Sequence, residues 1–137
     1  MTDLKLTVTD IEDLTVLSSL LQDATVLIGD MGYDAEHQQF LMVAARFIPS
    51  GESGDADARR LIGINFGGIT RIMRRGFSPN DRDSVLNLLA IRANNTNIEV
   101  VFSGKAMLRL ECAAIKVYAA DLGEGWATQF KPKHDAN

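Results

Sequence analysis

The stretch Asn97-Ile98-Glu99-Val100-Val101-Phe102-Ser103-Gly104-Lys105-Ala106-Met107-Leu108-Arg109-Leu110-Glu111-Cys112 sets the architecture. Ile98, Val100 and Phe102 fall on one side of a strand. Leu108, Leu110 and Cys112 fall on one side of the return, against Met107, Arg109 and Glu111 on the other, the period-two alternation of half-buried strands. Ser103-Gly104-Lys105 supplies the turn. So short a connection predicts antiparallel pairing, because a parallel pair needs a crossover of about a dozen residues or more.

Working outward, the chain repeats this pattern with one clear change of period. Leu4, Leu6 and Val8 alternate with Lys5, Thr7 and Thr9 as a short strand. Ile11, Leu14, Leu17, Leu20 and Leu21 then recur at helical spacing, and Thr9-Asp10-Ile11-Glu12 has the form of a capping box. The spacing predicts a helix from about Asp10 to Gln22, with Asp10, Glu12 and Asp13 placed where the helix dipole favours negative charge. Thr25 to Tyr33 and Gln39 to Ile48 read as strands on either side of a loop at 34–38. The second is apolar on both faces, so another element or subunit is expected to cover it. Pro49 stops it, and Ser50 to Ala58 reads as a mobile polar excursion.

Leu61 to Phe66 and Ile69 to Arg75 read as strand segments joined through Gly67-Gly68, where the chain can bend, bulge or turn, and Gly76 to Arg82 as a loop. Ser84 to Ala93 fits two templates: Leu86, Leu88 and Ala90 alternate, while Val85, Leu88, Leu89 and Arg92 suit a helix capped by Asp83 or Ser84. The strand is taken. Ala114 to Leu122 reads as a short helix, with Ile115, Ala119 and Leu122 on one stripe and Gly123 ending it. Trp126 and Phe130 are expected to fold back onto the body, and Lys131 to Asn137 to fray. The elements in this order make an α+β fold: a mainly antiparallel, strongly bent sheet or partly open barrel, with an N-terminal helix after the first strand and a short C-terminal helix. That order resembles the pleckstrin-homology architecture. One domain is expected over 1–130, with 131–137 as a flexible tail.

A chain of 137 residues, 46% of them hydrophobic, can build a core without disulfide or metal, which suits a single cysteine. The longest apolar run is the six residues Phe40 to Ala45, against the roughly 20 that a membrane helix needs. Met1-Thr2-Asp3 lacks the start of a signal peptide, so a cytoplasmic location without membrane contact is expected. Charge is unevenly spread. Residues 1–58 carry two basic and eleven acidic residues, whereas 59–82 carry six arginines against Asp81 alone. Such a split suits an acidic partner, self-association, or two sides of one fold attracting each other. The net charge of −4 works against nucleic acid as a partner.

Arg59, Arg60, Arg71, Arg74 and Arg75 form the candidate ligand-binding set. On a strand, Arg71 and Arg75 share a face with Ile69 and Met73, while Arg74 points with Thr70 and Ile72. Guanidinium groups brought together bind phosphate or carboxylate in bidentate fashion; the plainer reading is a solvated edge strand whose charges prevent aggregation. Cys112 continues an apolar face and reads as a buried thiol. His37, beside Glu36 and near Asp34, reads as solvated loop polarity with a general base as the alternative. Asp30 and Asp34 lie about 13 Å apart along a strand, too far for a paired acid and base unless Gly32 bends the strand. His134 falls in the tail, so no histidine set has metal spacing. No catalytic residue, cofactor or metal site is expected.

Leu21-Gln22-Asp23-Ala24, Ser84-Val85-Leu86-Asn87-Leu88-Leu89-Ala90-Ile91-Arg92, Leu108-Arg109-Leu110-Glu111-Cys112 and Asp121-Leu122-Gly123 together resemble a family of small single-domain bacterial proteins of unknown function. The resemblance spans nearly the whole chain and implies a bacterial, cytoplasmic protein; it carries no active-site residue to transfer. The leading reading is a non-catalytic interaction or structural module, as a homodimer or with a protein partner. The second is a small anion- or phosphate-binding barrel using the arginines of 59–82, and the third an enzyme using Asp30, Asp34 or His37.

Overall fold

The alternating segments pair into nine antiparallel strands accompanied by one helix in the computed structural model, which describes residues 4–47 and 59–122. The 50–58 excursion, Gly123, the return at Trp126 and Phe130, and the 131–137 tail lie outside the described residues. In chain order the elements are β1 (Lys5–Val8), α1 (Ile11–Leu21), β2 (Thr25–Asp34), β3 (Gln39–Phe47), β4 (Arg59–Phe66), β5 (Arg71–Arg75), β6 (Val85–Ala93), β7 (Asn97–Phe102), β8 (Met107–Glu111) and β9 (Val117–Asp121). Hydrogen bonding orders the strands β1-β9-β4-β3-β2-β6-β7-β8-β5, an open sheet with β1 and β5 at its ends. With a single helix among them, the described residues are mostly sheet, less α+β than the sequence suggested. No helix among the described residues is long and apolar enough to cross a membrane.

The helix begins one residue later than a capping box at Thr9 would place it. Asp10 is the cap: its carboxylate accepts the Asp13 N–H at 2.8 Å, satisfying one of the amides a helix start leaves free. Leu14, Leu17 and Leu21 are buried. This helix fills a gap in the sheet. β2 pairs with β6 only from Thr25 to Leu27, against Val85 to Asn87, and beyond that point α1 packs on β6. There the Ser18 hydroxyl accepts the Ile91 N–H at 2.9 Å, taking the place of a strand partner. The two templates fitted by 84–93 have a cause in the same place. A bulge between Leu88 and Ala90 breaks the alternation, so Leu88 and Ile91 both face the core three residues apart.

Gly67-Gly68 is a bend, as the sequence suggested. The β4/β9 ladder continues around it through Gly67 N–H to Lys116 C=O at 2.7 Å and Thr70 N–H to Glu111 C=O at 2.9 Å, where it becomes the β5/β8 ladder. Gly68 supplies the positive φ of +70°. One hydrophobic cluster runs through both halves, including Leu14, Leu17, Phe40, Phe66 and Phe102. Phe40 and Phe66 pack with ring centroids 6.2 Å apart, and Cys112 lies in the same cluster, 8% exposed. On the opposite face of β3, Val43 is also buried within the single chain, so part of that strand's second apolar face is covered without another subunit.

The short C-terminal helix expected at 114–122 is not formed: Val117–Asp121 is β9, paired to β1 on one side and β4 on the other. Two neighbours distant in sequence supply ladders on both edges, and this overrides the local helical spacing of Ile115, Ala119 and Leu122. The likeness to a pleckstrin-homology architecture, which rested on a terminal helix, loses that element here. At the end of β9 the Asp121 carboxylate, its side chain 1% exposed, accepts the Leu4 N–H at 2.8 Å and pairs with Arg46 at 3.0 Å, with Arg60 at 3.8 Å.

Candidate functional site

The five candidate arginines separate into two groups. Arg59 and Arg60 sit at the start of β4, about 20 Å along the strand from its Gly67 end. Both have structural work there. Arg60 joins Arg46 at Asp121, and Arg59 lies over the Phe47 ring at 4.3 Å while donating to the Thr25 hydroxyl at 3.2 Å. Arg82 holds the loop to β2, with its guanidinium reaching the Gly29 carbonyl at 3.5 Å.

Arg71, Arg74 and Arg75 stand together on β5, the end strand of the sheet. All three are exposed, and among the described residues no carboxylate pairs with any of them. Register adds a residue that alternation alone places on the outer face of the β7–β8 hairpin. Arg109 on β8 lies opposite Met73, and Met107 opposite Arg75, so side chains from two strands share one face. Met73, Arg74, Arg75, Met107 and Arg109 line a groove of about 320 Å³. Desolvation at this position pushes the Arg74 pKa below the ordinary guanidinium value, yet the group stays cationic at neutral pH.

Arg109 is held in place from behind. Glu99 on β7 takes Arg92 at 2.8 Å and Arg109 at 3.3 Å, and the Arg92 hydrogen bond, helped by Arg109, keeps the Glu99 carboxyl below its usual range. That bridge uses one end of the Arg109 fork, while its buried Nε has no partner. The site is therefore a strip of cations with methionine between them. It has charge for an anion and apolar surface for a side chain, and the described residues that line it include no nucleophile or base.

Residues 4–134 match the family described as "Protein of unknown function (DUF2948)". The chain belongs to this family. Searches of curated proteins and of solved structures each matched nothing. The family description assigns no chemistry, so the site must be judged on its own residues.

The alternative candidates are less built. Asp34 and His37 do meet, Oδ2 to Nδ1 at 2.7 Å, but both are exposed at the tip of the β2–β3 hairpin. The Asp34 hydrogen bond raises the His37 pKa above 6.5, and the same bond lowers Asp34. Because the folded-state value is the higher one, this contact favours the fold below the ordinary histidine pKa and is lost as pH rises through the raised value. Asp34→Ala should move the His37 titration, followed by NMR, down toward 6.5; an unchanged midpoint would show that the contact does not form in solution. No group of three or more His, Cys, Asp or Glu among the described residues could hold a metal ion. Burial pushes the Cys112 thiol up, away from the reactive thiolate. A second depression, of about 240 Å³, includes Thr7, Gln39, Asn65, Lys116 and Tyr118 in its lining and brings a single cation.

Proposed function

We propose that the protein is a non-catalytic binding module whose β5 strip takes an anionic group on a partner. The observation that carries this reading is the set of three β5 arginines with no acidic partner among the described residues, beside a groove to which β8 adds Arg109. Clustered guanidinium groups repel one another, so a fold that spends its acids elsewhere, on Arg46, Arg60, Arg92 and Arg109, leaves this strip favourable to an incoming carboxylate or phosphate. The reading unites an interaction module with anion binding, since the anion is carried by the partner. The cytoplasmic, bacterial setting implied by the sequence resemblance is kept as part of the proposal.

The test is a ¹⁵N NMR titration with inorganic pyrophosphate and with hexaglutamate. Shifts should map to β5 and β8 and weaken as salt is raised, because exposed charges are screened over about 10 Å at 0.1 M ionic strength. Arg71→Ala combined with Arg75→Ala should lower the affinity at least ~10-fold and leave the unfolding temperature nearly unchanged, as both side chains are exposed. Equal binding by this variant, or shifts centred on Arg59, would overturn the assignment. No binding of either probe would leave the arginines as guards of a sheet edge.

A further inference from the structure

Building on that reading, we propose that the anionic partner is an extended acidic protein segment that binds by adding a strand to the open edge of β5. The backbone hydrogen bonds define the edge. Between β7 and β8 they run through even-numbered β8 residues and their neighbours: Phe102 N–H donates to Ala106 C=O at 2.9 Å, and Cys112 N–H to Thr96 C=O at 3.0 Å. Backbone groups alternate sides along a strand, so Met107, Arg109 and Glu111 present theirs to β5, where the register sets them against Arg75, Met73 and Arg71. The amides and carbonyls of Ile72 and Arg74 therefore face away from β8. No strand among the described residues pairs on that side. A row of free donors and acceptors is a template for one more strand.

Charge selects the occupant. A second copy of this edge, pairing antiparallel about Met73, would set Arg71 against Arg75 at both ends, a like-charge pairing that disfavours self-addition. An acidic strand meets the opposite situation. Residues opposite Arg71 and Arg75 on one face, and opposite Arg74 on the other, would be acidic, while the residue opposite Met73 would lie against methionine. Antiparallel addition then reads, in the ligand's own direction, acidic, acidic, apolar, any, acidic. Methionine adapts to varied side chains, so the apolar position is loosely specified. Nucleic acid would use the arginines but has no call on the free amides of Ile72 and Arg74.

The experiment uses the full chain and three probes: an acetylated, amidated Glu-Glu-Leu-Thr-Glu peptide, the same peptide N-methylated at the two residues facing Ile72 and Arg74, and a deoxythymidine decamer. The unmodified peptide should slow amide exchange at Ile72 and Arg74, and N-methylation should weaken binding at least ~10-fold, since it removes backbone donors while keeping the charge. Equal binding by both peptides would overturn strand addition while leaving anion binding at β5 intact. Binding of the decamer without the peptide would overturn the acidic-segment partner. Failure of both peptides, alongside failure of pyrophosphate, would overturn the anion-binding reading as well.

Discussion

Arg46→Ala is expected to destabilise the protein by about 3 kcal/mol, the lower end of the cost of leaving one partner of a buried ion pair uncompensated. Asp121 would keep the Leu4 N–H and a distant Arg60 but lose both guanidinium contacts, Nε to Oδ1 at 3.2 Å and Nη2 to Oδ2 at 3.0 Å. With its side chain only 1% exposed, the carboxylate cannot turn to water for replacement. Replacing both partners, Arg46→Met with Asp121→Leu, should recover most of the loss, because two apolar side chains of suitable volume leave no buried charge behind. Urea unfolding of the three variants measures this. A double variant as unstable as Arg46→Ala would mean that the hydrogen bond to Leu4, rather than charge compensation, holds this end of β9.

Gly76→Ala should cost roughly 2–4 kcal/mol, combining a disfavoured backbone region with a forced displacement of neighbouring backbone. Gly76 has φ of +81°, and a Cβ there would stand 2.8 Å from the Lys105 carbonyl oxygen and 2.9 Å from the Ala106 Cα. Neither neighbour is the end of a flexible side chain. Gly68 is the control, since it shares a positive φ of +70° but has nothing within 4 Å of the added carbon. Gly68→Ala should cost only about 1 kcal/mol. Thermal unfolding should separate the two by several degrees, and equal losses would show that φ alone, not the close approach to the β7–β8 turn, decides the first.

What the sequence made legible follows from how far each signal reaches. The β7–β8 hairpin, α1, and the β2–β3 pair announce themselves within a dozen residues, because turn, cap and alternation are local. β9 does not. Val117, Ala119 and Asp121 all turn out buried, but two alanines in a short segment carry no preference strong enough to resist a helical reading, and the strands that decide the matter lie at Lys5–Val8 and Arg59–Phe66. The role of Asp121 was hidden for the same reason, since Arg46 is 75 residues away. At the candidate site, Arg71, Arg74 and Arg75 could be found from charge alone. Arg109 needed the β5–β8 register, and the separation of Arg59 and Arg60 from the rest needed the strand order. A signal for Asp121 did exist: it is an acid among apolar residues in a stretch otherwise poor in charge, which a buried pair would explain.

The position of β9 has a consequence for synthesis. Among the described residues β1 pairs with no strand but β9, so β1 waits for a partner translated much later. At ordinary elongation rates of about 5–20 residues per second, that wait is roughly 5–20 s. Until then β4 has β3 alone beside it among the described strands, and the apolar residues of β1 have no ladder to join. A chain cut short before Val117 is therefore left with β1 unpaired and its sheet unfinished.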